Sequence, residues 1–428
     1  MLRTPAAWPS ILLARADAKD PLDLDAAVAA GAFDGLKRAI RDLGATATVA
    51  TVAASGLRGR GGAGFPTGDK WRTAAATDAD RRYVVANGYG ADPASHTDRT
   101  LMRRDPYSVV EGSAIAAYAI GASEAFIAVR SEDAAVIAAL QTAIGSATDA
   151  GFLGPDVLGS GRDIVMSVRP VQGAYMLGEE TVLLKALEGK RGQPEQRPPH
   201  PATVGLFDRP TVVNNVQTLA AVPWILREGA DAFRATGSTH SPGTVLVQVR
   251  TPAKDGIAEV PLGTALRDVL KLGGKLPGER TLQAVLVGGP SGGLLPPDAL
   301  DLPYDYADLR EAGAHLGSGS IVAVDDRTDL VELVGVLTRF CSNEACGKSI
   351  PCRIGTRRLA EIVGRREGGL VRPVDAGLAT DLAHDIVASA LCDHERLATL
   401  PLTSGMRYFG SAFAPTDRPH PIATEAAR

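Results

Sequence analysis

The chain has 428 residues, enough for about three domains at roughly 150 residues each, so its core needs no disulfide or metal staple. Lysine and arginine total 45 against 49 aspartates and glutamates, a formal charge of −4, which excludes the basic footprint of a nucleic-acid or anionic-lipid binder. With 45% hydrophobic and 22% charged residues the composition is that of a globular protein, and 47 glycines with 28 prolines predict many turns and backbone-lined sites.

At the N-terminus, the short apolar run Trp8 to Ala14 is followed at once by Arg15 and Asp17, a poor signal-peptide pattern. A cytoplasmic location is expected, with attachment to a membrane complex only peripheral. From Asp25 to Leu43 apolar positions recur near helical spacing and predict a helical lead-in ending at Gly44. A glycine cluster follows, then a buried-type strand at Arg82–Asn87. A helix over Ser108–Ile120, a strand at Ala125–Val129, a helix over Glu132–Ile144 and a strand at Ile164–Val168 continue the alternation of an α/β sheet. The Ala-rich run from Gly112 to Ser123 is bounded by Glu111 and Glu124, far short of the roughly 20 apolar residues of a membrane span.

Gly178-Glu179-Glu180-Thr181 opens a further helix, and its end at Gly189 leads into a proline-rich loop over 193–201. Beyond Gly243 short β runs, Val245–Val249 and Ala284–Val287, predict a small β-rich domain. A helical region holding all four cysteines, 341, 346, 352 and 392, comes last. The expected division is an α/β domain over 1–239, a β domain over 240–330 and a helical domain over 331–428.

Five glycines fall within residues 56–64, with Arg58, Arg60 and Lys70 close by. Backbone N–H groups of such a loop can approach a phosphate while the cations neutralise it. Neither the P-loop nor the Gly-x-Gly-x-x-Gly pattern applies as written, and a bare structural turn is about as good an account of the glycines alone. The two glutamates read equally well as helix-start charges, and Asn214-Asn215 as a turn.

The whole string Ser55-Gly56-Leu57-Arg58-Gly59-Arg60-Gly61-Gly62-Ala63-Gly64-Phe65-Pro66-Thr67-Gly68-Asp69-Lys70-Trp71 resembles the FMN-binding segment of the NADH-oxidising flavoprotein subunit of respiratory complex I. Soluble NAD-linked hydrogenases and formate dehydrogenases share that subunit type. Further matches follow in order: Gly173 to Thr181, Leu187 to Pro194, and Pro210 to Leu219. The resemblance, from about residue 25 to about 413, implies a Rossmann-like FMN-binding domain, a ubiquitin-like β-rich middle domain and a C-terminal helical iron–sulfur domain. It implies that Gly59, Arg60, Gly61, Gly62, Gly64, Phe65, Lys70, Asn87, Gly178, Glu179, Glu180, Asn214, Asn215 and Thr218 surround FMN, with Glu179 and Glu180 as the candidate catalytic carboxylates. The middle domain, with Glu259–Thr264 and Leu316–Ser320, resembles the family's soluble-ligand-binding module and reads as a spacer between flavin and cluster.

Where the family reads Asn-Ala-Asp-Glu-Ser-Glu-Pro-Gly, this chain has Asn87-Gly88-Tyr89-Gly90-Ala91-Asp92-Pro93-Ala94, so two acidic positions are Tyr89 and Gly90. Of the aromatics that flank the adenine, Phe65 matches while Thr73 and His200 replace the others, His200 reading as a loop histidine. FMN binding is expected to survive while NADH affinity falls or the donor differs.

Cys346-Gly347-Lys348-Ser349-Ile350-Pro351-Cys352 with distant Cys392 has the frame of an iron–sulfur loop, ligands three apart around a tight turn with a remote fourth. The family string is Glu-Ser-Cys-Gly-Lys-Cys-x-Pro-Cys-Arg, and Ser349 stands at its middle cysteine. Three arrangements are open: Ser349 ligates through oxygen, Cys341 substitutes, or the four-iron cluster is replaced by a three-iron one or absent. The expected function is an electron-transfer flavoprotein subunit, a NADH:acceptor oxidoreductase with FMN and a 4Fe-4S-type cluster, serving a ferredoxin-like iron–sulfur partner or a larger redox complex. The competing reading is a degenerate paralogue that holds flavin as a structural subunit without turnover.

Overall fold

The computed structural model describes residues 1–414. The first sheet is wholly parallel: β1 (Tyr83–Gly88), β2 (Glu124–Arg130), β3 (Val165–Val171) and β4 (Thr211–Asn215) lie in the order β3-β2-β1-β4. Every residue of helix Pro106–Ile120 is buried. That explains its Ala-rich sequence, because a helix enclosed all round keeps no polar face. It crosses helix Val216–Glu228 so closely that a Cβ on Gly112 would lie 2.0 Å from the carbonyl oxygen of Leu219.

The predicted lead-in helix over 25–43 is broken. Helices Leu24–Ala29 and Asp34–Arg38 are separated by Gly31 and Phe33, both at positive φ, and Ala39–Leu43 forms a wide turn. Burial of Phe33 against the Phe152 ring, 4.1 Å between centroids, overrides the local helical pattern. Gly44 then starts helix Gly44–Ala54 instead of ending one.

The second sheet contains β5 (Thr244–Arg250), β6 (Asp255–Pro261), β7 (Leu282–Val287), β8 (Gly293–Leu295) and β9 (Ser320–Asp325) in the order β6-β5-β9-β7-β8. β5 pairs with β9 in parallel and the remaining pairings are antiparallel. Along β7 the strand period of two separates the faces. Val285 and Val287 join a core with Val269 and Leu309, while Ala284 and Leu286 face Val334, Leu359, Ile362 and Leu402 of the C-terminal helices. The middle sheet is therefore covered on both sides. The C-terminal helices are Leu330–Glu344, Ile350–Glu367, Asp375–Ala388, Asp393–Leu397, Leu400–Tyr408 and Gly410–Phe413. The third expected segment runs to 428, and its residues 415–428 lie outside the described ones. No helix among the described residues is long and apolar enough to cross a membrane.

Buried polar groups fasten these layers. Glu259 on β6 accepts the backbone N–H groups of Ile11 and Leu12, both at 2.8 Å, and of Leu13 at 2.9 Å, together with the hydroxyls of Ser10 and Thr244. The N-terminal segment is thus strapped to the middle sheet by a carboxylate that the sequence leaves without a role. Ser318 in the 316–320 loop accepts the hydroxyls of Ser95 and Thr97 through its carbonyl, joining that loop to the first domain.

Candidate flavin and iron–sulfur sites

In the first sheet β1 and β4 are neighbours, yet β1 is followed by β2 on its other side. The order reverses between them, and in open parallel sheets the crevice at such a reversal, outside the carboxyl ends of the strands, is where ligands bind. Asn87 ends β1 with Gly88, and Asn214 and Asn215 end β4. The asparagine pair is therefore a strand terminus and not a turn, with Asn215 capping the next helix through Gln217 N–H.

The glycine loop lies on this end of the sheet. Gly59 N–H donates to Phe65 O and Thr67 N–H to Leu57 O, each at 2.9 Å, closing residues 59–65 into a loop that runs into helix Thr67–Ala76. A Cβ on Gly61 would meet Asn215 Cβ at 3.3 Å. Gly64, at φ +66°, faces the Tyr306 ring, where a Cβ would come within 2.7 Å, and the Tyr306 hydroxyl donates to Gly59 O at 2.7 Å. Close packing thus accounts for several of the glycines without any ligand. It does not account for Thr67. The Thr67 Oγ1 is buried with no partner, and Pro66 gives the helix no side-chain cap. A hydroxyl and an uncapped helix start at the mouth of a glycine loop form a fitting seat for an anion such as the FMN phosphate.

The charged groups converge beside this seat. Lys70 Nζ donates to Glu180 Oε2 at 2.8 Å and to Val213 O at 2.9 Å. Arg197, from the proline-rich loop, reaches Glu180 at 3.1 Å and Glu179 at 3.4 Å. The adjacent carboxyls are driven apart. Burial raises the Glu179 pKa above the usual range, against the pull of Thr181, Val182 and Arg197. Burial acts the same way on Glu180, but Lys70 and Arg197 outweigh it and hold that carboxyl below the usual range. Glu179 also caps helix Glu180–Leu187, accepting the N–H groups of Thr181 and Val182 at 2.9 Å.

Asn87 donates to Gly178 O at 3.0 Å, which ties the carboxyl end of β1 to the turn before the glutamates. Asn214 Oδ1 accepts the Trp71 indole N–H at 2.9 Å, and Asn215 donates to Asp98 at 2.7 Å. Phe65 is 54% exposed with the Lys70 amine 6.0 Å from its ring centre, while Thr73 and His200 are exposed. Arg60 is placed differently. Its backbone N–H donates to Thr218 Oγ1 at 2.8 Å, but its buried guanidinium donates to the carbonyls of Arg58, Pro242 and Thr244. That side chain fastens the glycine loop to β5 and does not point into the crevice.

Tyr89 is buried where the resemblance has an acidic residue. Its hydroxyl donates to Gly173 O at 2.5 Å and the Arg130 guanidinium lies 4.6 Å from its ring centre. A cleft of about 280 Å³ opens there, on the β1–β2 side, lined by Tyr89, Asp92, His96, Asp98, Arg99 and Arg130. Burial pushes the Asp92 carboxyl up to about 6.

Cys346, Cys352 and Cys392 are free thiols at the junction of the helical region with the first domain. Cys392 packs with Met176, Leu177 and Leu183, and Cys346 borders the same apolar cluster. Burial, the Glu395 carboxylate and the neighbouring thiols of Cys392, Cys346 and Cys341 push the Cys352 thiol up to about 12. Glu344 accepts Tyr175 N–H at 2.8 Å and Lys348 donates to Pro194 O at 2.6 Å, so the cysteine loop is tied to the segments flanking the two glutamates. Among the described residues no three His, Cys, Asp or Glu side chains are grouped to hold one metal ion. An iron–sulfur cluster spreads its ligands over several irons, and two buried thiols with a half-buried third, none in a disulfide, suit it. Cys341, a neighbour of Cys352, donates its thiol to Pro290 O at 3.5 Å.

Comparison with known proteins finds two family regions on the chain. Residues 52–224 match the Nuo51 FMN-binding domain, and residues 332–415 match the iron–sulfur binding region of NADH-ubiquinone oxidoreductase-F. The NADH-quinone oxidoreductase F subunit 2 of Rhizobium meliloti (strain 1021) is 38% identical over 409 residues, covering 94% of this chain and 96% of the relative. The chain belongs to the family of NADH-quinone oxidoreductase F subunits. The F subunit of Streptomyces coelicolor is 42% identical over 379 residues, 88% of this chain and 84% of its own. The NADP-reducing hydrogenase subunit HndC of Solidesulfovibrio fructosivorans is 39% identical over 396 residues, 92% and 80% respectively. The solved NAD+-reducing NiFe hydrogenase in the H2-reduced state superposes with a TM-score of 0.84 at 32% identity over 98% of this chain and 70% of that one. Similarity to these redox proteins over nearly the whole length, with both cofactor regions matched, does not favour the reading as a scaffold without turnover.

Several residues of the site have no local signal. Arg197 meets Glu180 from 17 residues away, Trp71 meets Asn214 across 143, and Asp98 receives both Asn215 and Gln217 from more than a hundred residues further on. Thr67 was readable: a hydroxyl at the first position of a helix that follows a glycine loop is an anion-site signature.

Proposed function

We propose that this chain works as the NADH:acceptor oxidoreductase subunit of a larger redox assembly, with FMN and an iron–sulfur cluster as resident groups and a ferredoxin-like subunit as its partner. The observation that carries the reading is the unpartnered Thr67 hydroxyl beside Lys70, Asn87 and the Glu179–Glu180 pair at the point where the sheet order reverses. When bound, FMN supplies two-electron acceptance and one-electron release, chemistry that no side chain of the protein provides.

The chain's own residues bind and orient. Thr67 and the backbone of Gly59, Gly61, Gly62 and Gly64 would hold the phosphate, and Lys70 would offset its charge while remaining fixed by Glu180 and Val213 O. Asn87 and Asn215 offer amide groups at the two strand ends, and Thr218 fixes the loop backbone at Arg60. Glu180 is held between Lys70 and Arg197, whereas Glu179, its pKa raised by burial, caps the helix through Oε2 and turns Oε1 to Arg197. Phe65 presents an exposed aromatic face on which a dinucleotide base can stack. Cys346, Cys352 and Cys392 would hold the cluster, Cys392 and Cys346 beside the apolar layer that includes Leu177.

Tyr89 and Gly90 stand where the resemblance has acidic residues, and the Arg130 cation lies 4.6 Å from the Tyr89 ring centre, so NADH should bind more weakly than in relatives with acidic residues there. Heat-released flavin identified by fluorescence, followed by stopped-flow reduction with NADH, tests both statements. Colourless protein that takes up no FMN on reconstitution overturns the site. Saturation of flavin reduction at low-micromolar NADH overturns the weakened donor affinity alone.

A further inference from the structure

Resting on the proposed cluster site, we infer that Ser349 supplies a fourth ligand to the iron–sulfur cluster through its side-chain oxygen. Ser349 lies three residues after Cys346 and three before Cys352, at the position that the family fills with cysteine. It is the N-cap of helix Ile350–Glu367, with extended backbone at φ −80° and ψ 136°. Serine in that position ordinarily turns its hydroxyl back onto the first N–H groups of the helix. Here it makes no such bond. Its Oγ is instead buried with no partner of any kind, one of six such side-chain atoms among the described residues. A hydroxyl left buried without a partner is disfavoured, so this uncapped Oγ calls for a ligand.

The competing donor, Cys341, neighbours Cys352 but is engaged elsewhere. The Cys341 thiol, within helix Leu330–Glu344, lies 3.5 Å from Pro290 O, and its backbone oxygen is bonded to the His394 ring at 3.0 Å. Reaching the loop would require that helix to give up both contacts. The Lys348 amine, next to Ser349, is committed to Pro194 O and does not compete for the oxygen.

In the ligation step an Fe–O bond forms as the hydroxyl proton leaves to water; no electron is transferred. An oxygen donor is harder than a thiolate and favours the more oxidised iron, so the cluster's reduction potential lies below that of a variant with four cysteine ligands. The test uses the full-length protein, prepared and reconstituted anaerobically with iron and sulfide, as wild type, Ser349→Ala, Ser349→Cys and Cys341→Ala. Iron, labile sulfide, FMN content, EPR and a redox titration are measured on the same samples. Expected are about four irons per chain in wild type, Ser349→Cys and Cys341→Ala, about three with a three-iron EPR signature in Ser349→Ala, and a higher potential in Ser349→Cys.

Equal iron and spectra in Ser349→Ala and wild type overturn the inference, as does iron loss in Cys341→Ala. A cluster in Ser349→Cys but none in wild type also overturns it while leaving the family's cluster site standing. Absence of iron from every variant overturns the cluster site itself, and retained FMN in those samples shows that the flavin reading has not failed with it.

Discussion

Glu111 offers the most quantitative check on the fold that carries the flavin site. Its side chain is wholly buried in helix Pro106–Ile120; Oε1 accepts Leu36 N–H at 3.1 Å and Oε2 has no partner. Burial, opposed by nearby N–H groups and by Arg15 and supported by Asp105, pushes its pKa from 4.5 up to about 7. In the unfolded chain the carboxyl loses its proton near the ordinary value, whereas the folded chain keeps it until about pH 7. Between those values the native state binds more protons, so its stability is full below the lower one and is lost as pH rises through the upper one. At 1.36 kcal/mol per pH unit the total loss is about 3 kcal/mol. Glu111→Gln removes the titration, and other ionisable groups cancel in the comparison. Urea unfolding followed by the fluorescence of Trp71 and Trp224, which pack in the same core, should give a wild-type stability that falls relative to Glu111→Gln between about pH 5 and about pH 7.5 and runs parallel outside that window. A difference that stays flat across this range, or a wild type that gains on the variant as pH rises, refutes the reasoning.

Thr67→Val replaces the orphan hydroxyl with a methyl group; the flavin-free protein should be no less stable, while FMN affinity, measured by quenching of flavin fluorescence, drops about tenfold for one lost hydrogen bond of about 1.4 kcal/mol. Gly64→Ala must fit a Cβ 2.7 Å from the Tyr306 ring at φ +66° and should cost about 2 kcal/mol in urea unfolding, against less than about 1 kcal/mol for Gly61→Ala, whose Cβ meets Asn215 at 3.3 Å. Equal costs at the two glycines would contradict the packing described. Glu259→Gln weakens the seat of Ile11, Leu12 and Leu13 by about 2 kcal/mol and should speed tryptic cleavage after Arg15, read by mass spectrometry, without changing FMN content.

Much of the first sheet was legible because its strands are short, apolar and bounded by helical periods: Arg82–Asn87 and Ala125–Val129 sit within a residue or two of β1 and β2. β4 was not read as a strand, since Thr211–Asn215 ends in two asparagines whose turn-forming habit masks a buried, parallel neighbour. The lead-in failed as one helix because Phe33 is drawn into a core that local periodicity cannot register. β6 and β9 escaped for a related reason: their charged ends, Asp255 and Asp325, and the buried Glu259 disguise strands that the partner sheet supplies with donors and apolar faces. At the site, Lys70 meets Glu180 and Asn87 meets the turn at Gly178, yet the pairings of Glu180 to Arg197, Asn215 to Asp98 and Asn214 to Trp71 depend on distant segments and left no trace in any short window.

The strap at Glu259 also orders events during synthesis. Ile11 is synthesised 248 residues ahead of the carboxylate that receives its N–H. Throughout that interval the backbone N–H groups of Ile11, Leu12 and Leu13 lack this acceptor, and the segment's earlier ties are its core packing and the Arg15–Asp105 ion pair. Completion of β6 is thus the step that lets these three backbone groups be satisfied together.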